Sequence, residues 1–433
     1  MRTARPTWEK SAGSKLPLLD LFAVIDHSRL YRVLLYFYGG YPVLMAVVWV
    51  LLSLFFVRRQ ESRALKEPDG EWPFVSILVP AYAEEQMIAR TLDAILRLDY
   101  PRFEAIVIDD GSPDATAEIV RRYLGRGPIR LLEKPVNEGK AMALNDALPL
   151  CRGEILVLID ADTIVQPQLL RVIVPHYLSS TRVGGVTGNP RIANRRTLLQ
   201  RLQALEFCSI ISMQRRAQRI WGRVLTVSGA VCSFRRTTVL EVGGFSPDMA
   251  TEDIDMTWRI QMRHWDVRYE PRAVAWIQAP PTLPELWKQR RRWARGLAQV
   301  LRRHRRVALT WSLRRLWAVW YEAIVSVAWA HVFILITAYW LISRLAGYVP
   351  YGASPIPNLW GMIMATSCLV QLWTGALTDR RYEPGIIRTL PESIFYPLIY
   401  WVLTSLITCI YTLPALARRP SQVQRWKIRR TAP

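Results

Sequence analysis

Two acidic clusters in the sequence stand directly after apolar stretches. The segment DDGS (residues 109–112) follows one of these stretches, and DAD (160–162) follows another. Two carboxylates one residue apart at a strand end could hold a hard divalent cation and, with it, a diphosphate. Each cluster by itself is equally typical of a turn or a helix cap. Their occurrence on neighbouring strands of one sheet would favour the functional interpretation.

Three further segments carry charges that could act on a phosphate or a proton. Lys140 stands at a predicted helix start, whose dipole would help it to bind phosphate, although a lone Lys there is usually solvent-facing. Glu252 and Asp253 follow Thr251, and by themselves they are typical of an acidic helix start with Thr251 as its cap. The segment QRRRW (289–293) is typical of a basic helix on anionic lipid. The sequence contains no GxxxxGK[ST] or GxGxxG, which weakens ATPase and dehydrogenase interpretations.

The order of the elements predicts a doubly wound α/β domain with a mostly parallel sheet. Short β-branched runs at 74–79, 103–108, 129–132 and 155–159 alternate with helical stretches. Each run ends in a polar or turn-forming cluster. Because ligands of open α/β sheets bind beyond the carboxyl ends of the strands, we expect these clusters to converge on one crevice.

Four apolar stretches are long enough to cross a bilayer as helices. Residues 33–57 run without a charge, and three more candidates lie at 323–343, 358–378 and 394–416. The region between the first and second stretches has the size of a large single domain. Basic residues at both of its borders predict that this domain is cytoplasmic. One span before the domain and three after it would place both basic tails outside, so the side of the termini stays open.

The charge of the chain has two interpretations. Its 433 residues carry 57 Lys and Arg against 35 Asp and Glu, a net charge of +22. Such an excess is typical of nucleic-acid binding or of an anionic membrane surface. Eleven of the basic residues fall within 286–315, beside a predicted span and without an acid among them. A lipid bilayer is therefore the preferred partner, and a membrane-anchored nucleic-acid or scaffold protein is the alternative. The five cysteines form no CxxC pair, so neither a zinc site nor a disulfide framework is indicated.

Six motifs occur in order along the chain: VSILVPAYAEE (75–85), VIDDGSPD (107–114), NEGKAMALNDAL (137–148), LIDADT (158–163), TEDID (251–255) and QRRRW (289–293). As an ordered set they resemble the processive membrane glycosyltransferases of family 2, the group of cellulose, chitin and hyaluronan synthases. Further segments, such as VGGVTGNPR (183–191), are most similar to the branch that makes poly-β-1,6-N-acetylglucosamine. The resemblance implies a GT-A fold, a Rossmann-like α/β domain embedded between transmembrane helices.

The resemblance also implies a role for each matching residue. Nucleotide binding would fall to Tyr82, Glu84, Asp109, Asp110, Lys140, Asp160, Gln289 and Arg292. Asp162 would coordinate a divalent metal, Mg²⁺ or Mn²⁺. Asp253, with Glu252 beside it, would be the general base, and Trp293 would stack on the acceptor sugar. Ala83 departs from the family pattern, which usually has Asn there, and this puts the shape of that turn in doubt.

The activity implied is inverting, processive transfer of N-acetylglucosamine from UDP-N-acetylglucosamine to a growing β-1,6-linked glycan of the biofilm type, at a bacterial inner membrane. A small two-span membrane subunit and regulation by cyclic di-GMP are implied as partners, and no nucleic acid is. Synthesis of another β-linked polymer, of the hyaluronan, chitin or cellulose type, is the alternative within this family. The predicted segments are a basic start (1–32), a transmembrane helix (33–57), the catalytic domain (58–285), an interfacial segment (286–315), three transmembrane helices (316–416) and a basic tail (417–433).

Overall fold

The structure of the chain, a computed structural model, describes residues 16–62, 70–352, 359–417 and 423–425. One α/β domain lies between a long apolar helix near the start of the chain and three more apolar helices near its end. This is the arrangement that the sequence predicts. Residues 1–15 of the predicted basic start and most of the predicted tail 417–433 lie outside the described residues.

The described part of the chain begins with two helices, α1 (Leu16–His27) and α2 (Arg29–Phe56). Ser28 separates them, because its side-chain oxygen accepts the N–H of Tyr31 and so caps the start of α2. α2 continues into a short π-helix, Val57–Glu61, that carries basic residues. The helix contains almost the whole predicted span 33–57, and its length and apolar composition suit a membrane crossing.

Eight strands form one mixed sheet in the order β3-β2-β1-β4-β7-β6-β8-β5. Their bounds are β1 Val75–Ala81, β2 Phe103–Asp109, β3 Ile129–Glu133, β4 Ile155–Ile159, β5 Ile164–Val165, β6 Val183–Ile192, β7 Val231–Arg235 and β8 Asp266–Ile277. β3, β2, β1 and β4 are parallel neighbours, as the sequence predicts, and β6 runs parallel to β8. β7 runs antiparallel to β4 and β6, and β5 runs antiparallel to β8. The sheet is therefore mixed and mostly parallel.

The four predicted strands are apolar throughout because both faces of the sheet are covered. Side chains alternate between the faces along a strand. Ile77 and Val79 accordingly join one core cluster, and Leu78 between them joins the other. The register pairs Ala81 with Asp109, so β1 and β2 end at the same level. The space beyond the carboxyl ends of β1, β2 and β4 is called the crevice below.

The helices of the domain connect these strands and extend to the membrane region. Their bounds are α3 Ile88–Leu96, α4 Thr116–Arg121, α5 Lys140–Ala147, α6 Leu169–Leu178, α7 Leu198–Glu206, α8 Gln214–Trp221, α9 Arg236–Glu241, α10 Glu252–Met262 and α11 Leu283–Arg303. A π-helix, Phe207–Met213, joins α7 to α8. α11 covers most of the predicted interfacial segment 286–315, and short 3₁₀ turns lead from its end to the next long helix.

Three long helices follow the domain: α12 (Trp317–Leu345), α13 (Leu359–Asp379) and α14 (Trp401–Ala417). By length and composition the candidate membrane spans of the described residues are Arg29–Glu61, Trp311–Leu345, Gly361–Asp379 and Pro391–Ala417. They agree in number and place with the four predicted stretches. α2 packs against α12 and α13, and α12 packs against α14, so the spans form one bundle.

Where the bundle meets the domain, four almost fully buried charges form an ion cluster, named here the junction cluster: Glu61, Arg191, Arg216 and Asp379. Arg216 of α8 binds both carboxylates, because its Nε lies 2.8 Å from Oε2 of Glu61 and its Nη2 lies 2.7 Å from Oδ1 of Asp379. Arg191 of β6 also pairs with Asp379. The junction cluster therefore connects the ends of two spans to the sheet.

Candidate active site

The carboxyl end of β2 brings two aspartates with different surroundings to the crevice. Asp110 is fully buried, and its oxygens accept the main-chain N–H groups of Glu138 (3.1 Å) and Gly139 (2.7 Å). Asp110 therefore fixes the loop that precedes α5. Asp109 accepts the N–H of Ser112 (3.2 Å) through Oδ2, whereas its buried Oδ1 accepts no hydrogen bond from the described residues. Burial raises the pKa of Asp109, and a buried acceptor without a donor is a place where a ligand N–H could bind.

Tyr82 and Glu84 lie on the turn after β1, on either side of Ala83. Ala83 has a φ of 55°, in the left-handed region that Asn adopts more readily than Ala. This conformation gives a physical reason for the Asn that related motifs carry there. The alanine keeps the turn because its N–H donates to Oγ of Ser112 at 3.0 Å. The turn is thereby fastened to the loop after β2, with Tyr82 half-buried and Glu84 buried.

Lys140, at the first turn of α5, is the central cation of the crevice. Its Nζ lies 2.6 Å from Oδ1 of Asp160 and 3.2 Å from Oε1 of Glu252. Burial alone would lower the pKa of Lys140, but the charges of Asp160, Glu252 and Asp253 raise it well above its ordinary value. Residues from β4, α5 and α10 therefore meet at one ammonium group, as the sequence predicts for the strand-end clusters.

Asp253 lies beside this cation without a hydrogen bond to it. Its Oδ2 accepts the N–H of Gly229 (3.0 Å), and its Oδ1 accepts that of Ile254 (2.9 Å). Burial, followed by the negative charge of Glu252, raises the pKa of Asp253 to about 6. Burial by itself would raise the pKa of Glu252, but the positive charges of Lys140 and Arg292 and the hydrogen bonds to Glu252 together lower it. Glu252 is thus an ion-paired carboxylate, whereas Asp253 is a carboxylate that can take a proton.

α11 carries the residues predicted to act on the diphosphate and the acceptor. Burial is the main influence on the pKa of Asp253, and the positive charge of the exposed Arg292 acts against it. Gln289 is half-buried, and its Oε1 accepts no hydrogen bond from the described residues. Trp293 is half-buried, with the guanidinium carbon of Arg290 4.1 Å from its ring centre. The charge of Arg292 therefore acts on Glu252 and Asp253. The ring of Trp293 contacts the guanidinium of Arg290.

Two basic residues with several charged or aromatic partners near the crevice were not predicted from the sequence. Lys134, at the end of β3, lies 3.2 Å from Oδ1 of Asp110, 2.9 Å from Oε2 of Glu138 and 2.7 Å from Oδ2 of Asp146. Its place in the polar cluster after a predicted strand was the available signal. Arg290 is the second basic residue, and nothing in QRRRW distinguishes it from its neighbours.

A divalent metal fits the residues present, provided that substrate supplies most of its ligands. The described residues contain no group of three or more His, Cys, Asp or Glu side chains placed to hold a metal. Asp160 and Asp162 form a pair, and the charge of Asp162 adds to burial in raising the pKa of Asp160. Mg²⁺ is commonly held by one or two carboxylates together with substrate phosphates and water. The Asp160 and Asp162 pair meets that requirement.

Residues near the carboxyl terminus form one wall of the crevice. The N–H of Gln424 donates to the carbonyl oxygen of Pro247 at 2.8 Å. Gly139 has a φ of 92°, and a Cβ on it would lie 2.0 Å from the carbonyl oxygen of Gln424. Only glycine therefore suits this position, both for its backbone conformation and for its contact.

Comparisons with known proteins agree with this geometry. Residues 73–296 match the family model described as glycosyltransferase like family 2. The chain is 31% identical to the poly-beta-1,6-N-acetyl-D-glucosamine synthase of Staphylococcus epidermidis over 89% of this chain and 95% of that protein. It is 32% identical to the synthase of the same name from Staphylococcus aureus (strain COL) over 89% and 95%. A mannosyltransferase of Pyrobaculum calidifontis, solved with GDP-Man and Mn²⁺, shares the fold with a TM-score of 0.61 at 22% identity, over 88% of this chain and 99% of that one. The matched region contains every crevice residue described above from Tyr82 to Trp293, and the chain therefore belongs to the family 2 glycosyltransferases, with a GT-A-type catalytic domain.

Proposed function

We propose that the chain polymerises N-acetylglucosamine from UDP-N-acetylglucosamine into a β-1,6-linked glycan by inverting, processive transfer. The observation that carries this proposal is Asp253, a half-buried carboxylate with a pKa of about 6 that lies among the cations and acids of the crevice. The named relatives, which are synthases of this polymer and align over most of their length, support the choice of sugar and linkage.

Asp253 would act as the general base. A sugar hydroxyl is a poor nucleophile until a positioned group takes its proton, and such a group contributes about 10²- to 10⁴-fold. A base with a pKa near 6 is ionised at neutral pH and still accepts a proton. One displacement at the anomeric carbon, with the proton passing to Oδ1 or Oδ2 of Asp253, would invert an α-linked donor into a β-linked product.

The diphosphate would leave among the cations of the crevice. Lys140 and Arg292 are placed to stabilise the negative charge that develops on it. A divalent cation held by Asp162, with Asp160 beside it, would neutralise further charge there. Gln289 would add an amide to the diphosphate, while Tyr82, Glu84, Asp109 and Asp110 would form the uridine pocket. Within that pocket, Asp109 Oδ1 is the acceptor best suited to a base N–H, because Asp110 already binds the main chain.

The four candidate spans and the basic α11 support a catalytic domain at the inner face of a bacterial membrane, with the bundle guiding the glycan outward. Trp293 offers the acceptor sugar a flat apolar surface. A small two-span subunit and control by cyclic di-GMP remain part of the proposal as partners. Hyaluronan-, chitin- or cellulose-type synthesis is the alternative that product analysis would separate.

The experiment is incorporation of radiolabelled N-acetylglucosamine from its UDP form by membranes that contain the protein. We expect Asp253→Asn to abolish incorporation and Asp99→Asn to leave it unchanged, because Asp99 is an exposed residue before β2, away from the crevice. Linkage analysis of the product should give β-1,6 bonds. Equal incorporation by the two variants would remove the base assignment, and another linkage would favour the alternative polymers.

A further inference from the structure

The guanidinium of Arg290 on α11 contacts three side chains, those of Glu206, Tyr400 and Trp293. Its Nη1 and Nη2 lie 3.0 Å and 2.5 Å from Oε1 and Oε2 of Glu206, so the pair is bidentate. Its Nη2 also donates to the hydroxyl of Tyr400 at 2.9 Å, and that hydroxyl donates to Oε2 of Glu206 at 2.8 Å. Arg290 and Glu206 are 8% and 6% exposed, so this triangle is almost completely removed from water.

The triangle joins three elements that are distant in sequence. Glu206 ends α7, Arg290 lies in α11, and Tyr400 ends the π-helix Tyr396–Tyr400 that leads into α14. The rings of Tyr396 and Tyr400 are stacked with their centres 4.9 Å apart, which fixes the orientation of Tyr400. The position of the guanidinium is therefore set jointly by the catalytic domain and by the last candidate span.

The fixed guanidinium lies against Trp293. Its carbon is 4.1 Å from the centre of the indole ring, well within cation–π range. A tryptophan on a helix surface can rotate about two side-chain bonds, and a planar cation on one face restricts that freedom. The other face of the Trp293 indole is therefore held in one orientation.

We propose that Arg290 is a positioning residue that holds the indole of Trp293 for stacking on the acceptor sugar, with Glu206 and Tyr400 holding Arg290 in turn. This inference rests on the proposed function, in which Trp293 meets the acceptor. It assigns to the second residue of QRRRW a role different from that of Arg292, which would face the diphosphate. It also couples the acceptor platform to the span beside which a growing glycan would leave.

The test compares the affinity for UDP with the apparent KM for the acceptor oligosaccharide. In the charge-balanced double variant Arg290→Met with Glu206→Gln, no buried carboxylate is left without a partner cation, so the variant should fold. We expect the apparent KM for short β-1,6-linked N-acetylglucosamine oligosaccharides to rise about tenfold, as loss of a desolvated cation–π contact implies. The products should be shorter, while the Kd for UDP, measured by titration calorimetry in detergent, should stay within about twofold of the original value. Arg290→Lys, which keeps a charge for Glu206 but not the planar group, should show a smaller change in the same direction.

The matched control is Arg295→Met, because Arg295 lies on the same helix over the ring of Tyr411 (5.3 Å). It should leave the acceptor KM and the product length unchanged. In a Trp293→Ala background the Arg290 variants should have no further effect, since they act through that ring. An unchanged acceptor KM, or UDP binding that weakens in parallel with it, would overturn the positioning role. If Trp293→Ala itself left the acceptor KM and product length unchanged, the acceptor assignment of the proposed function would fail, and this inference with it.

Discussion

At the scale of single residues, Asp253 differs from the other carboxylates of the crevice in its partners. Asp160 and Glu252 bind Lys140 directly, whereas Asp253 hydrogen-bonds to the main-chain N–H groups of Gly229 and Ile254. Gly229 permits this approach, because a Cβ on it would lie 3.1 Å from Oδ2 of Asp253. The ion-paired residues keep their charge in place, and Asp253 is the carboxylate left to exchange a proton.

The pKa of Asp253 predicts the acid side of the pH–rate profile. The base must be ionised, so kcat/KM should fall as the pH drops through about 6. Glu252→Gln removes a negative charge that raises this pKa, and the fall should move to lower pH. Lys140→Gln removes a positive charge that lowers it, and the fall should move to higher pH. Initial rates of sugar incorporation on both sides of pH 6 measure these shifts, and movement of both variants in the same direction would contradict the assignment.

At the scale of elements, the packing of α11 on the start of α10 sets the geometry of the site. Gly296 of α11 lies against Thr251, the residue immediately before Glu252, and a Cβ on Gly296 would fall 2.2 Å from Oγ1 of Thr251. His304, just after α11, binds Oδ1 of Asp255 in α10 at 2.9 Å. These two contacts fix the distance between Asp253 on α10 and the residues of QRRRW on α11.

Gly296→Ala should therefore misplace the site without unfolding the domain. The added methyl group must push α11 away from Thr251, and a displacement of about 1 Å can cost about 10²-fold in rate. The initial rate of N-acetylglucosamine incorporation measures this loss. Gly40→Ala is the matched control, because a Cβ on Gly40 of α2 would meet no atom within 4 Å. Full activity of Gly296→Ala would mean that the contact with Thr251 has no part in catalysis.

The sequence predicts those strands and helices whose residue pattern lies within one continuous segment of the chain. β1 to β4 are found because each is an apolar run followed by a polar cluster, and the spans are found from their length and composition. The pairing of β6 with β8, and the antiparallel β7 between β4 and β6, depend on contacts between distant segments and carry no comparable signal. The same holds for Arg290 and Glu206, which are 84 residues apart and unremarkable by themselves.

Among the predicted site residues, the structure brings Lys140, Asp160, Glu252 and Asp253 together, and strand-end convergence in an α/β sheet accounts for Asp160 but not for the two residues of α10. The resemblance places Asp110 on the uridine with Asp109 beside it, but it does not predict the different surroundings of the two residues. That difference arises from the loop at Glu138 and Gly139, which closes on Asp110 only in three dimensions.

At the scale of the whole molecule, the junction cluster decides how the bundle and the domain are held together. Arg216 bridges Glu61 at the end of the first span and Asp379 at the end of the third. Removing one member of a buried ion pair is costly because its partner keeps a charge away from water. The junction cluster contains two arginines and two carboxylates, so it is neutral and holds none of the net charge of +22.

Arg216→Met should destabilise the protein by about 3 kcal/mol, the cost typical of breaking a buried pair. Arg122→Met removes an exposed partner of Glu118 and should leave the unfolding temperature unchanged, because exposed pairs contribute little. Thermal unfolding of the two variants in the same detergent measures the difference. Equal unfolding temperatures would show that the junction cluster does not hold the two parts together.

The contact of Gln424 with Gly139 has a practical consequence for handling the enzyme. Gln424 lies against the loop that Asp110 fixes, so a change at Gln424 is also a change at the crevice. A substitution or insertion near Gln424 would therefore alter the wall beside Gly139, and apparent substrate affinities measured with and without that alteration should differ.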